Sequence, residues 1–194
     1  MSVDRSLRPA DPSEDWPEVT FGGGHTPYID RSEYMNSLLL SPQEAVRYGM
    51  VAGLPWSLVA CRTREGLGYQ FFLGGMGEYG GGDAGTARLP EGDDLQVSAL
   101  LFGGPPLRAI AAYVGAVSDR VSSAEVRLAD GRRREVEIWP PSEGFLRYLI
   151  FFPPYGASGE VIARDAGGDP LKTVALFDAL VPWTATAGIR GFPA

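Results

Sequence analysis

Apolar and polar positions alternate with a period of two over most of the chain, and that period predicts strands. Residues 48–52 and 55–64 read as strands joined by a turn at Gly53. Glu65-Gly66 then signals a tight turn into a return strand over 67–73 (LGYQFFL). Residues 96–102 form the next strand, closed by Gly103-Gly104-Pro105-Pro106. The second half predicts strands over 110–117, 124–128, 133–138, 145–152, 159–164 and 171–177. Asp130-Gly131 is the strongest hairpin signal, because both residues tolerate the positive φ of a type I′ turn. A helical signal occurs once. Ser41 and Glu44 make a capping box with Pro42 at the first helical position, predicting a short helix that Tyr48-Gly49 ends. Residues 74–94 read as a long, glycine-rich, acidic loop.

Strands recurring about every 8 to 14 residues, with turn residues between them and no helical crossovers, predict antiparallel sheets packed face to face. The expected fold is all-β: an antiparallel β-sandwich with an extended N-terminal arm and one short helix. The expected divisions are the arm over 1–40, the sandwich over 41–181 and a tail over 182–194. Two stretches, GMVAGLPWSLVACRTREGLGYQFFL and YVGAVSDRVSSAEVRLADGRRREVEI, share the order strand, turn, strand, tight turn, strand. They read either as related β-meanders or as convergent hairpin grammar.

A resemblance runs through the same residues. Val114-Gly115-x-Val117, Val121 and Val126-x-Leu128-x-Asp130-Gly131 carry its first part. Gly144-Phe145, Phe151-x-Pro153 and Val161-x-Ala163-x-Asp165-x-x-Gly168 carry the rest, with Gly53-x-Pro55-Trp56-x-Leu58-Val59-Ala60 upstream. Over about two-thirds of its length the chain resembles a β-sandwich module of unknown function found in proteins of GC-rich bacteria. The resemblance implies a sandwich fold and brings no catalytic residues. Related copies often stand behind a membrane anchor or signal.

Composition narrows the function classes. The 194 residues are 44% hydrophobic, enough for a real core, and 26 Gly with 16 Pro favour turns and short strands. A net charge of -7 argues against nucleic acid and anionic membrane as partners. No run approaches the roughly 20 apolar residues of a membrane-spanning helix. The N-terminal residues lack the apolar centre of a secretory signal, so a cytoplasmic location and no membrane insertion are expected. Lys172 is the single lysine, Cys61 the single cysteine and His25 the single histidine. An intramolecular disulfide and a cysteine-based zinc site are therefore excluded.

Candidate chemistry is sparse. Gly75-Met76-Gly77-Glu78-Tyr79-Gly80 matches GxGxxG after a strand, but a dinucleotide site also needs a following helix, and none is predicted. Glu78, Asp83, Asp93 and Asp94 gather oxygen ligands of the kind calcium accepts, without regular loop spacing. The expectation is no required cofactor, with weak calcium as the one metal option. Cys61 follows Val59-Ala60 and reads as a small core hydrophobe; a Cys61–His25 dyad would need the arm folded back across that strand. No GxSxG elbow is present.

Aromatic residues in the arm and tail are the remaining signal. Trp16, Phe21, Tyr28 and Tyr34 precede the body, and Trp183 and Phe192 follow it. They either staple the ends to the sandwich or form a contact surface. Phe71, Tyr148 and Phe151 are also placed to line an apolar cavity between sheets. The leading expectation is a non-catalytic protein-binding or assembly module, meeting another protein or its own copies through Trp16, Phe21, Tyr28 and Trp183. The alternative is a small-ligand carrier or hydrolase-like enzyme with a cleft beside loop 74–94. A structural protein of large assemblies is a third class.

Overall fold

The computed structural model describes residues 16–22, 26–29, 39–63, 66–74, 81–86, 89, 91–104, 107–139 and 147–176. Thirteen strands appear there: β1 Val19–Phe21, β2 Glu44–Val51, β3 Leu54–Thr63, β4 Gly66–Leu73, β5 Gly81–Thr86, β6 Leu95–Gly104 and β7 Leu107–Val117. They continue as β8 Ser123–Leu128, β9 Arg133–Val136, β10 Ile138–Trp139, β11 Arg147–Phe151, β12 Gly159–Arg164 and β13 Pro170–Ala175. All pairings are antiparallel, and no helix occurs among the described residues.

The strands make three sheets: a front sheet ordered β1-β2-β3-β4-β5, a middle sheet β10-β11-β7-β6 and a back sheet β13-β12-β8-β9. Two cores lie between them. Val51, Trp56, Leu58, Phe71 and Leu73 of the front sheet pack on Ile110, Ala112, Val114, Tyr148 and Ile150 of the middle sheet. On the opposite face of the middle sheet, Leu95, Ala111, Tyr113, Leu149 and Phe151 pack on Val126, Leu128, Val161 and Ala163. Successive side chains of a strand point to opposite faces, so β7 and β11 feed both cores. The sandwich is therefore a stack of three layers in which the central strands of the middle sheet, β7 and β11, are dry on both sides, while Gln96 and Ala99 of its edge strand β6 are exposed. Phe71 and Tyr148 sit in one core and Phe151 in the other, so they do not line one cavity.

Four local expectations are corrected. Residues 44–47 are the first half of strand β2, not a helix, and run on into the strand expected from Tyr48. Val46, Tyr48 and Val51 suit a pleated surface, and pairing with β3 outweighs the local capping signal. The 74–94 stretch contains β5, whose Gly-rich sequence offers no side-chain alternation and which forms by backbone pairing with β4. The 133–138 strand breaks at Glu137, leaving β9 in the back sheet and β10 in the middle sheet. The second meander-like stretch likewise divides, with β7 in the middle sheet and β8 and β9 in the back sheet, whereas β2, β3 and β4 stay together.

The Asp130-Gly131 hairpin forms, with a different turn. Only Gly131 has positive φ (89°), Gly131 N–H donates to the Leu128 carbonyl at 3.0 Å, and Leu128 N–H donates to the Arg132 carbonyl at 2.9 Å. That is a type I turn closed by a bulge with glycine in the left-handed region. The Asp130 carboxylate accepts from Arg132 N–H at 3.0 Å and Arg132 Nε at 2.7 Å, and Arg132 holds that carboxyl below its usual range.

The true two-residue turn lies between β2 and β3, where Val51 faces Leu54 across Ala52 (φ 49°) and Gly53 (φ 80°). A left-handed alanine costs about 1 kcal/mol, which asparagine carries with much less strain. Ala52→Asn is therefore expected to raise stability by about 0.5–1 kcal/mol in urea unfolding, with an unchanged slope.

Candidate binding groove where three sheet edges meet

The edge strands β1, β10 and β9 of the front, middle and back sheets come together along one side of the stack. Their convergence leaves a groove of about 200 Å³. Trp16, Val19 and Phe21 form one wall, Arg134 to Glu137 the other, and Ile150 to Phe152 the floor.

Each wall follows from local rules. Phe21 pairs with Gly49, where a Cβ would run into the Thr20 carbonyl oxygen. The bare glycine lets β1 lie close against β2 and sets the Phe21 ring over Trp56 (5.7 Å, edge-on) and beside Trp139 (5.4 Å). Phe21 remains 45% exposed: its ring touches Trp56 on one side and borders the groove on the other. A register shift between Ala45 and Arg47 places Val46 against the front core and Arg47 over the Trp139 ring at 4.0 Å. Bulges re-aim side chains in this way, and the guanidinium gains the ring's negative face. Opposite, Arg134 lies 5.3 Å from the centre of the Trp16 ring, which packs on the back core. Behind the aromatics, Trp56 stacks on Phe71 (6.0 Å) and leans on Phe152 (5.4 Å).

Of the aromatics expected to make contacts, Trp16 and Phe21 share this groove. Tyr28 does not. It lies across the front sheet, edge-on to Phe72 at 4.9 Å, with its carbonyl accepting from Ser57 Oγ at 3.0 Å. Cys61, Val59 and Phe72 are buried on that same outer face, consistent with Cys61 as a small hydrophobe. Trp183, Phe192, Tyr34 and His25 lie outside the described residues. Arg47 and Trp139 were not singled out by sequence; the bulge in β2 and the strand break at Glu137 bring them here.

The acidic candidates separate too. Glu78 and the GxGxxG stretch lie outside the described residues, between β4 and β5, which are antiparallel neighbours rather than parts of a βαβ unit. Asp83 sits in β5 opposite Gln70. Asp93 and Asp94 lie at the start of β6. Asp93 Oδ1 meets Lys172 Nζ at 3.0 Å and accepts from the Asp94 N–H at 3.0 Å. The Lys172 hydrogen bond holds the Asp93 carboxyl below its usual range; burial works against it, and the backbone N–H groups of Asp94 and Leu95 assist. Asp94 is buried, accepts from Ser118 Oγ at 2.6 Å and meets Arg120 at 3.4 Å. Arg147 caps the same crossover by donating to the carbonyls of Ser118 (3.0 Å) and Val121 (2.8 Å). These carboxylates tie the middle sheet to the back sheet, and a calcium ion binding them would have to displace Lys172 and Arg120. Among the described residues no three of His, Cys, Asp and Glu gather to hold a metal, and no helix is long and apolar enough to cross a membrane.

Comparison with protein-family models, with curated proteins and with solved structures finds no match.

Two measurements probe this region. Gly49→Ala forces β1 away from β2, so hydrogen exchange at residues 19–21 is expected to accelerate while β7 and β11 stay protected. Separately, burial pushes the Tyr148 phenol up to about 12, with Arg47 opposing and Glu137 adding. The fold thus favours the protonated phenol, a contribution complete below pH ~10 and lost as pH climbs towards 12. Urea midpoints are expected to hold up to pH ~10 and then fall, and Tyr148→Phe is expected to flatten that alkaline limb.

Proposed function

We propose that this chain is a non-catalytic protein-binding module whose contact surface is the groove between β1 and β9. The observation that carries the reading is the half-exposed Phe21 ring bordering an apolar-floored groove, with charged Arg134, Glu135 and Glu137 along the facing wall. Aromatic anchors in a partly dry recess with a polar rim suit a protein contact. The titratable groups with distinctive settings are already engaged: Asp93 and Asp94 hold cations and Tyr148 is buried. That weighs against acid–base catalysis at these positions.

Phe21→Ser tests the reading, because the ring lies at the rim and its loss leaves both cores filled. Wild-type chain immobilised against an extract of its source cell is expected to retain a stoichiometric protein partner, identified by mass spectrometry. The variant is expected to lose at least about tenfold of that retention, the effect of truncating an aromatic anchor, with hydrogen exchange in β7 and β12 unchanged. Equal retention by both chains would overturn the reading.

A further inference from the structure

The back sheet ends at β9, and its hydrogen-bond phase shows what that edge offers. Leu128 and Arg132 form a hydrogen-bonded pair next to the turn. Bonded and non-bonded pairs alternate along an antiparallel ladder, so Val126–Arg134 and Ala124–Val136 are the bonded pairs that follow. Arg127–Arg133 and Glu125–Glu135 fall between them. The neighbouring ladder agrees: Ala129 N–H donates to the Ser158 carbonyl at 2.9 Å, which gives Arg127 and Glu125 their bonds to β12. The N–H and C=O groups of Arg133 and Glu135 therefore face away from β8, towards the open edge.

The side chains at those positions carry opposite charge. Arg133 and Glu135 are exposed, stand on the face opposite buried Val136, and make no ion pair among the described residues. Charges of one sign along an edge repel a second copy; an Arg-x-Glu alternation does not. The opposite edge, β13, opens on Pro170, which has no N–H to donate.

We propose that β9 pairs antiparallel with β9 of a second copy of this chain, joining two back sheets into one continuous sheet. The pairing rests on the reading of this side of the stack as a protein-contact surface, and it names the partner. A two-fold axis normal to the sheet keeps the two faces distinct, so a register centred on Arg134 sets Arg133 against Glu135 of the other copy, and Glu135 against its Arg133. The two outward-facing residues then exchange backbone hydrogen bonds, and both ion pairs form on the outer face. Arg134 meets its own counterpart on the inner face, where each guanidinium already lies over Trp16 of its own chain.

Sedimentation velocity of the full chain over the micromolar range tests this. Wild type is expected to be a reversible dimer. Arg133→Glu alone and Glu135→Arg alone each set like charges opposite one another and are expected to weaken association by about tenfold or more. Mixing the two weakened variants restores both ion pairs across a heterodimer, and association is expected to return to near the wild-type level. A monomeric wild type, or a mixture no tighter than its components, would overturn the pairing. A monomer that still retains another protein through Phe21 would overturn the pairing alone and leave the contact-surface reading standing. A dimer restored by charge exchange, with no Phe21-dependent retention of another protein, would sustain the pairing and confine the contact surface to β9.

Discussion

The structure depends on two central strands of the middle sheet, β7 and β11, that have no wet face. Antiparallel sheets commonly keep one side in water and show it as strict alternation. Here β7 and β11 bury both sides, Ile110, Ala112 and Val114 against the front sheet and Ala111, Tyr113 and Val117 against the back. Each fully buried Val, Leu, Ile or Phe contributes about 1.5–3 kcal/mol, and a polar side chain on either face would be stranded without water. Small residues make the double packing fit. Ala111, Ala112, Gly115 and Ala116 let two layers approach one strand, and Tyr113 stacks on Phe151 at 5.1 Å in the space left over.

A stack with a dry centre sends its irregular features to its edges. On one side β1 has three residues, β10 two and β9 four. Short edge strands limit unwanted pairing, and the break at Glu137 lets a single chain segment serve two sheets in succession. The same break prevents the three edges from closing on one another, and the groove is the space that remains. On the far side Asp93, Asp94, Lys172, Arg120 and Arg147 hold the middle sheet to the back sheet through paired charges and capped carbonyls. One side is thus tied by polar groups and the other bordered by aromatic rings.

Fold class was legible because turn chemistry and the two-residue period act locally. The third layer was written less openly. Residues 109–117 (AIAAYVGAV) and 148–152 (YLIFF) are continuous apolar runs, which strands with one wet face do not need, and they mark the middle sheet. Strand β5 left no trace because Gly-Gly-Asp-Ala-Gly-Thr has almost no side chains to alternate, and the first half of β2, before Tyr48, was masked by a capping box that pairing with β3 overrides. At the groove, Trp16 and Phe21 stood out as aromatics in a polar segment. Arg47 and Trp139 could not, since a bulge in β2 and the strand break at Glu137 place them, and side-chain alternation signals neither. Tyr28 shows the converse. Its residue type matched its neighbours in the arm, yet it packs on the opposite face of the front sheet, against Phe72 and Ser57.

The chemistry of the groove follows from its origin in sheet edges. An edge supplies backbone donors and acceptors at fixed spacing, and side chains that alternate between two faces. At β9 the outward backbone groups and the Arg133–Glu135 alternation belong to the same residues, so one register satisfies hydrogen bonds and charges together. At β1 the close approach allowed by Gly49 seats the Phe21 ring edge-on against Trp56 at the groove rim, outside the buried front core. A ring anchored on Trp56 and Trp139 loses little freedom when a partner covers it, which lowers the entropic cost of forming a contact there. The two walls therefore offer different things to a protein surface: a pre-ordered apolar ring from one sheet, and directional, charge-coded pairing from another.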